Sequence, residues 1–358
     1  MNKSFYRISL RYAAILVFAL AINLGFSFNS HAQFGDIGSM IKAGGADASI
    51  LATEYLRPFG EGVGAVTNTG WVNRAKPHRK LGFDIQIRAS AAMVPDNRRN
   101  FEVNTLGLSD VTRLSDGGGT VTPTISGKKN SGIGFDIFGK DANGNEYKLG
   151  EFNMPKGTGF PFIPAPIVNA SVGLLFDTDV MVRFIPETSL YGVNGSVNLM
   201  GAGLKHGINQ YMPGGSLLPV DLSVMGAFTQ FSMEADPNVR INQNDDFDQQ
   251  LIFSSNSFNM NALVGKNLPF ISFFAGVGFE TSSTSFKANG DYPVYEVNAG
   301  GQQEQAILTD PVNIAYEDNS SFRAMAGARF SILILDLFAD VTYSDYLVGS
   351  AGFGISFR

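Results

Sequence analysis

Leu81-Gly82-Phe83-Asp84-Ile85-Gln86-Ile87-Arg88-Ala89-Ser90 is the stretch on which the fold class turns. Leu81, Phe83, Ile85, Ile87 and Ala89 alternate with Gly82, Asp84, Gln86, Arg88 and Ser90. A period of two over this length marks a strand with one apolar and one polar face, because successive side chains point to opposite sides of the backbone. A soluble two-sheet sandwich also alternates. Here, however, Arg and Asp recur on the small-residue face while the other face stays apolar.

The pattern returns along the rest of the chain. Val168, Ala170, Val172 and Leu174 alternate with small or polar residues, as do Val180, Val182 and Phe184. Val193, Val197 and Leu199 follow, then Leu222, Val224 and Phe228, and then Phe258, Met260, Ala262 and Val264. Four dense segments complete the series, at 271–280, 322–331, 335–344 and 352–357. Roughly ten strands of near-spanning length, with short turns alternating with long polar connections, predict an antiparallel transmembrane β-barrel. The fold class is all-β, with 8–14 strands compatible with the pattern and a short helical leader before it. Closure is required, because in lipid a strand can satisfy its backbone only in a sealed cylinder.

The barrel is expected over 80–358, with long external loops at about 95–165 and 287–320. Asn143-Gly144, between Ile133–Phe138 and Tyr147–Phe152, predicts a hairpin inside the first loop. Phe357 supplies a near-terminal aromatic, the usual insertion signal of such barrels, displaced one place by Arg358.

Ahead of the barrel stand two further segments. Residues 1–32 have a basic start (Lys3, Arg7, Arg11), an apolar Tyr12–Phe26 run and Ser30-His31-Ala32, the form of a cleaved signal peptide. The apolar run is shorter than the roughly 20 residues of a spanning helix. Residues 33–79 form a leader and candidate lumen plug. Asp36 to Leu56 predicts a weakly amphipathic helix, and Gly60-Glu61-Gly62-Val63-Gly64 a turn after it. Trp71 and the basic cluster Arg74, Lys76, His78, Arg79 and Lys80 lead into the first strand.

Composition narrows the function. The chain has no cysteine, so it is a large closed structure rather than a small stapled one. A net charge of −6 gives a nucleic-acid partner no electrostatic support. Gly (41) and Phe (30) are abundant while charged residues make up only 16%, which suits strands with one greasy and one small face. Only His78 and His206 follow the signal segment, and no motif pairs either with a serine. Asp141-Ala142-Asn143-Gly144-Asn145 has its glycine in the wrong place for a calcium loop, and Asp245, Asp246 and Asp248 read as a solvated acidic loop. No metal site, cofactor or catalytic residue is assigned.

Asp84, Arg88, Arg183, Glu280, Arg323, Arg329, Asp336 and Asp340 are the charged residues expected to face the lumen. Their mixed signs predict cross-lumen ion pairs. Phe274, Phe338, Met181, Met225 and Met325 are expected beside them, leaving room for an apolar ligand in a narrow, mostly filled cylinder. The leading expectation is an exported bacterial outer-membrane barrel that binds or passes a small hydrophobic molecule through a plugged lumen. Its partners are then outer-membrane lipid and that molecule. The alternatives are a non-transporting structural or surface-display barrel, or a subunit of an envelope or secretion complex with protein partners. A barrel lipid hydrolase ranks last.

Two stretches carry a resemblance. Gly70-Trp71-Val72-Asn73 through Lys80-Leu81-Gly82-Phe83-Asp84, and Gly203-Leu204-Lys205-His206-Gly207-Ile208-Asn209-Gln210-Tyr211 with Pro213, resemble a family of outer-membrane barrels of unknown function from Bacteroidetes-type bacteria. The resemblance covers most of the chain after the signal segment and implies architecture more than activity. More distantly, the long leader is similar to that of the long-chain fatty-acid transporter barrels, which implies a segment that plugs the lumen.

Overall fold

The computed structural model describes Met40 and residues 45–357, apart from 116, 118, 131, 141–143, 190–193, 238–246, 298–302 and 317–319. The expected signal peptide and cleavage point, the first part of the predicted leader helix, Asp141 to Asn143, Asp245, Asp246 and Arg358 lie outside the described residues.

Ten strands form the wall: β1 (Phe83–Met93), β7 (Phe162–Gly173), β8 (Thr178–Ser189), β9 (Gly195–Gly207), β10 (Asp221–Ala235), β11 (Gln249–Asn267), β12 (Ile271–Val297), β15 (Ser321–Ile332), β16 (Leu335–Tyr343) and β17 (Leu347–Phe357). Each pairs antiparallel with its neighbours in the order β11-β10-β9-β8-β7-β1-β17-β16-β15-β12, and β11 pairs with β12 to close the ring. The barrel is therefore closed, antiparallel and ten-stranded, with β1 sealed to β17 from Phe83↔Phe357 to Met93↔Leu347.

One end of the barrel carries short turns and a longer loop at 208–220. The other carries long excursions. Between β1 and β7 lie β2 (Asn100–Glu102), β3 (Thr112–Leu114), β4 (Val121–Pro123), β5 (Gly134–Lys140) and β6 (Glu146–Asn153), in two small sheets separate from the wall. The 95–165 segment thus adds no complete wall strand, although β7 starts inside it at Phe162. The 287–320 segment departs further from an expected loop. There β12 runs on to Val297 and pairs with β13 (Gln303–Thr309) and β14 (Val312–Tyr316). Polar residues on one face and apolar ones such as Phe286, Ala288, Tyr292, Val312 and Ile314 buried on the other make this ribbon a strand extension.

Helix α1 (Gly45–Asn68) occupies the lumen. It does not stop at the glycine cluster, as the sequence predicts, but runs through Gly60, Gly62 and Gly64, where the wall leaves no space for a side chain. A Cβ on Gly60 would stand 3.0 Å from the Tyr316 ring, one on Gly62 2.6 Å from Ile163, and one on Gly64 2.2 Å from Ser282 Oγ. Glycine lowers helix propensity by about 1 kcal/mol relative to alanine. Here its missing side chain is what lets the helix pass between walls.

The wall has two storeys of opposite polarity. On the short-turn half, apolar residues face outward: Phe273, Val277 and Phe279 on β12, Phe322 and Phe330 on β15, Leu335, Leu337 and Val341 on β16. Ten residue steps from Phe83 to Met93, at about 3.3 Å each and tilted by about 40°, give a belt about 25 Å tall. Phe184, Phe228, Phe258, Phe279, Phe322 and Tyr343 sit exposed toward its upper edge, with Phe279 edge-on to Phe322. Above that edge the polarity reverses. Ile185, Val197, Leu199, Phe231, Leu251, Phe253 and Phe286 turn inward onto α1, in one core with Leu51, Tyr55, Val63 and Val66. This corrects the sequence reading of β9, whose Val197 and Leu199 are inward and whose Met200 and Leu204 are outward. A helix inside the upper half needs an apolar surround, and the outer surface there need not be greasy.

Candidate functional site: the leader–wall interface

Beyond α1 the chain leaves helical geometry at Gly70 (φ 76°), a left-handed residue that glycine adopts without strain. A Cβ at this position would also meet Arg88 Cδ at 2.6 Å. From Gly70 to Lys80 the leader descends as irregular chain to the short-turn end, then enters β1. A backbone without sheet or helix partners, buried in a lumen, must find donors elsewhere. The inward side chains of the wall supply them.

The helix C-terminus gathers the strongest of these contacts. Arg183 donates from Nη1 to Thr67 O (2.7 Å) and from Nη2 to Thr69 O (2.8 Å), with Nε on Asn169 Oδ1 (2.9 Å). Its guanidinium also lies 4.1 Å from the centre of the Trp71 ring. Arg323 Nη1 donates to Asn68 O (2.8 Å), which also accepts from Asn259 Nδ2 (3.0 Å). Thr229 donates to Thr67 O (3.1 Å), and Thr67 shares a 2.6 Å hydroxyl contact with Ser257. The carbonyl end of a helix carries partial negative charge, so two guanidinium groups there are favourably placed. Lower down, Asn169 holds Gly70 O (2.7 Å), Arg88 holds Val72 O (3.1 Å), Lys205 holds Arg74 O (3.3 Å) and Ser223 holds Ala75 O (2.9 Å).

The lumen charges expected from sequence are buried in this interior and mostly paired, but with partners on adjacent or next-but-one strands of the wall rather than across the lumen as expected. Arg88 bonds Asp340 and stacks on Phe338 at 4.4 Å. Arg323 faces Glu280 at 3.3 Å, and Glu280 accepts from Ser344 (2.6 Å). Arg329 meets Asp336 at 2.8 Å near the short-turn end. Asp84 accepts from Ser171 (2.5 Å), Gln86 (3.0 Å) and Asn73 (3.3 Å), with His78 Nε2 3.4 Å away. Arg183 is the exception: it forms no ion pair among the described residues and is held by leader carbonyls, Asn169 and Trp71.

Several participants were not singled out from sequence. Asp179 binds the His78 backbone N–H (2.8 Å) and ring (3.1 Å) and pairs with Lys205 (3.1 Å). Asn169, Asn259, Thr229 and Ser223 sit on the small-residue faces of their strands, where the alternation places them inward, but nothing in the pattern says that a leader backbone is their partner. His206 lies at the end of β9 and faces Thr178 Oγ1 (2.7 Å) and Tyr211 Oη (3.0 Å). Met181, Met225, Phe274 and Met325 pack around Trp71, Val72 and Ala75. An apolar cavity of about 20 Å³ remains between α1 and the β7–β10 wall, lined by Phe59, Val63, Ile163, Ile185, Leu199 and Phe231 among others. It has room for one water.

Among the described residues no cluster of metal-ligating side chains occurs, and no helix is long and apolar enough to cross a membrane. No curated protein matches the sequence significantly. Among solved structures the chain is similar to the attachment invasion locus protein Ail of Yersinia pestis, at 12% identity over 78% of this chain and 100% of Ail, with a TM-score of 0.25. It is also similar to the translocator domain of the autotransporter NalP from Neisseria meningitidis, at 10% identity over 89% and 99% of the two chains and a TM-score of 0.27. The toluene transporter TodX of Pseudomonas putida matches at 7% identity over 81% and 98%, with a TM-score of 0.25. The sequence profile of one family matches residues 9–357, and the chain belongs to it: the family of unknown function DUF6588.

Proposed function

We propose that this protein is an outer-membrane barrel held shut by its own leader, with its work done on the long-loop face rather than through the lumen. The observation that carries this reading is the row of leader carbonyls at Thr67, Asn68, Thr69, Gly70, Val72, Arg74 and Ala75, each bonded to a wall side chain. Such a plug does not leave the lumen without stranding several buried polar groups, each worth about 1–3 kcal/mol. The membrane placement is supported by the closed wall and by the outward belt, whose height matches a bilayer core. A non-enzymatic role is supported by the two histidines: His78 is sealed among Asp84 and Asp179, and His206 contacts Thr178, Tyr211 and Gln210.

Passage of a small hydrophobic molecule is the second reading, favoured by the apolar seam between α1 and β7–β10. Its size demands that α1 move before anything larger than a water enters. Planar-bilayer recording of the refolded protein separates the two. The closed reading expects stable insertion with no steady conductance, and flickering openings in Arg183→Ala, where the plug loses its bidentate clamp. Steady wild-type conductance overturns it. An apolar molecule found by mass spectrometry in the purified wild type, and lost when Val63→Phe fills the seam, establishes the second reading.

A further inference from the structure

Among the described residues on the long-loop side, four lysines lack the acidic partners of the other cations: Lys287 on the β12 extension, and three that stand apart from it. Arg98 bonds Glu61, Arg99 bonds Asp96, Arg113 and Lys140 meet Glu146, and Lys148 meets Asp136 and Glu151. Lys128, Lys129 and Lys156 are exposed and form no ion pair among the described residues. They also lie together. Gly157 N–H donates to Lys128 O (3.1 Å), Gly159 N–H to Gly127 O (2.8 Å) and Thr158 N–H to Ile125 O (2.8 Å), which ties 125–128 to 157–159. The paired segments are fastened to the plug: Ile125 N–H donates to Tyr55 O (3.0 Å), and Tyr55 Oη donates to Lys156 O (2.9 Å). Tyr55 is fully buried. The lysines therefore stand on a fixed platform.

The height of this platform matters most. The outward apolar column of β1 ends at Met93, which pairs with Phe162, the first residue of β7. Phe160 lies two residues further on, exposed and edge-on to Phe162 with ring centres 5.7 Å apart. The Lys129 ammonium stands 5.6 Å from the Phe160 ring centre. An aromatic at the edge of the belt with an ammonium just beyond it is the arrangement that suits a hydrocarbon–headgroup boundary, with the apolar stem in lipid and the charge among headgroups. Three cations with no acidic partner at that level lack anionic groups, and the neighbouring leaflet is where such groups would lie.

We propose that Lys128, Lys129 and Lys156 form a docking surface for a phosphate-bearing lipid headgroup in the leaflet around the long-loop end, with Phe160 and Phe162 against its acyl chains. The proposal rests on the membrane placement given above. Lysine suits this role as a flexible point charge able to follow a phosphate on a mobile lipid.

The test is native mass spectrometry of the full-length mature protein in detergent, titrated with phosphatidic acid, with phosphatidylcholine or with inorganic phosphate. Wild type is expected to retain phosphatidic acid at least fivefold more than phosphatidylcholine and to retain no inorganic phosphate. The variant carrying Lys128→Gln, Lys129→Gln and Lys156→Gln should lose that preference, while a control with Arg79→Gln and Lys80→Gln at the opposite end keeps it. Equal retention of the two lipids by wild type, or an unchanged preference in the triple variant, overturns the proposal. Binding of inorganic phosphate alone points to a headgroup-independent anion site and also overturns it. Failure of the wild type to insert into lipid vesicles instead overturns the membrane placement, which keeps the two ideas separately testable.

Discussion

Gly64 occupies a spot where even one methyl group has no room, since its Cβ would stand 2.6 Å from Ser282 Cβ. Gly64→Ala should therefore destabilise by about 1–3 kcal/mol despite alanine's better helix propensity. Chemical denaturation of the variant beside Gly64→Ala with Ser282→Gly checks the cause, because the double variant should recover most of the loss. The residue scale is also where the sequence is least legible. Alternation put Arg88, Arg183 and Arg323 on the small-residue faces, but it does not show that each also binds a leader carbonyl, at Val72, at Thr67 and Thr69, and at Asn68. A glycine cluster reads locally as a turn. The walls pressing on Gly60, Gly62 and Gly64 explain why a helix here carries glycine.

At the scale of elements, strand direction and phase were readable because hydrocarbon and a confined lumen impose opposite demands on alternate residues. Ala326, paired with Ala275 and Val341 in the middle of the belt, is an exposed outward position. Ala326→Arg should cost about 2–4 kcal/mol at the bilayer midplane. Gly327→Ala should act by crowding, since its Cβ would meet the Phe274 ring at 2.6 Å. Folding titrations in lipid vesicles and in detergent tell them apart: only the Gly327 defect should be as large in a loosely packed micelle as in a bilayer. The upper storey was not readable in the same way. There the apolar face turns inward because α1 fills that half, and a strand's own residues do not record which side a distant helix will take. The sheet of β3, β5 and β6 gives a pH signature. A hydrogen bond from Ser115 and then the Lys148 ammonium hold the Asp136 carboxyl below its usual range, and Arg113 does the same for Glu146. Carboxyls depressed in the folded state contribute stability above their unfolded pKa and lose it as pH falls through the folded one. Hydrogen exchange in β5 and β6 should therefore quicken, relative to the wall, below about pH 4. Unchanged relative protection down to pH 2 would count against these pairs.

For the whole molecule, the path of the leader sets the sidedness. Asp47 accepts from Ser109 in the long-loop region (2.6 Å), Thr53 O from Tyr316 (2.7 Å), and Lys76 pairs with Asp221 beside the short turns (3.2 Å). The chain thus crosses the lumen from the long-loop end to the other before the wall begins. Ala46→Cys should react with a membrane-impermeant maleimide from the same side as Val121→Cys, and from the opposite side to Leu217→Cys. Labelling of Ala46→Cys together with Leu217→Cys would reverse the direction of threading. The sequence announced a leader and a barrel. It held no local sign of the order in which their two ends meet, since that depends on contacts as distant as Ser49 with Pro311.

The seam between β1 and β17 joins the first and last staves of the hoop, and what the hoop encloses is synthesised before either. No free end of the leader near Lys80 is available to slide in afterwards, because that end continues directly into the first stave. Enclosure is most direct if the nascent cylinder wraps around this tethered core before the final stave zips shut. The hand-over of one edge to the other then completes the hoop, after which the enclosed segment is kept in place by the bonds along its path.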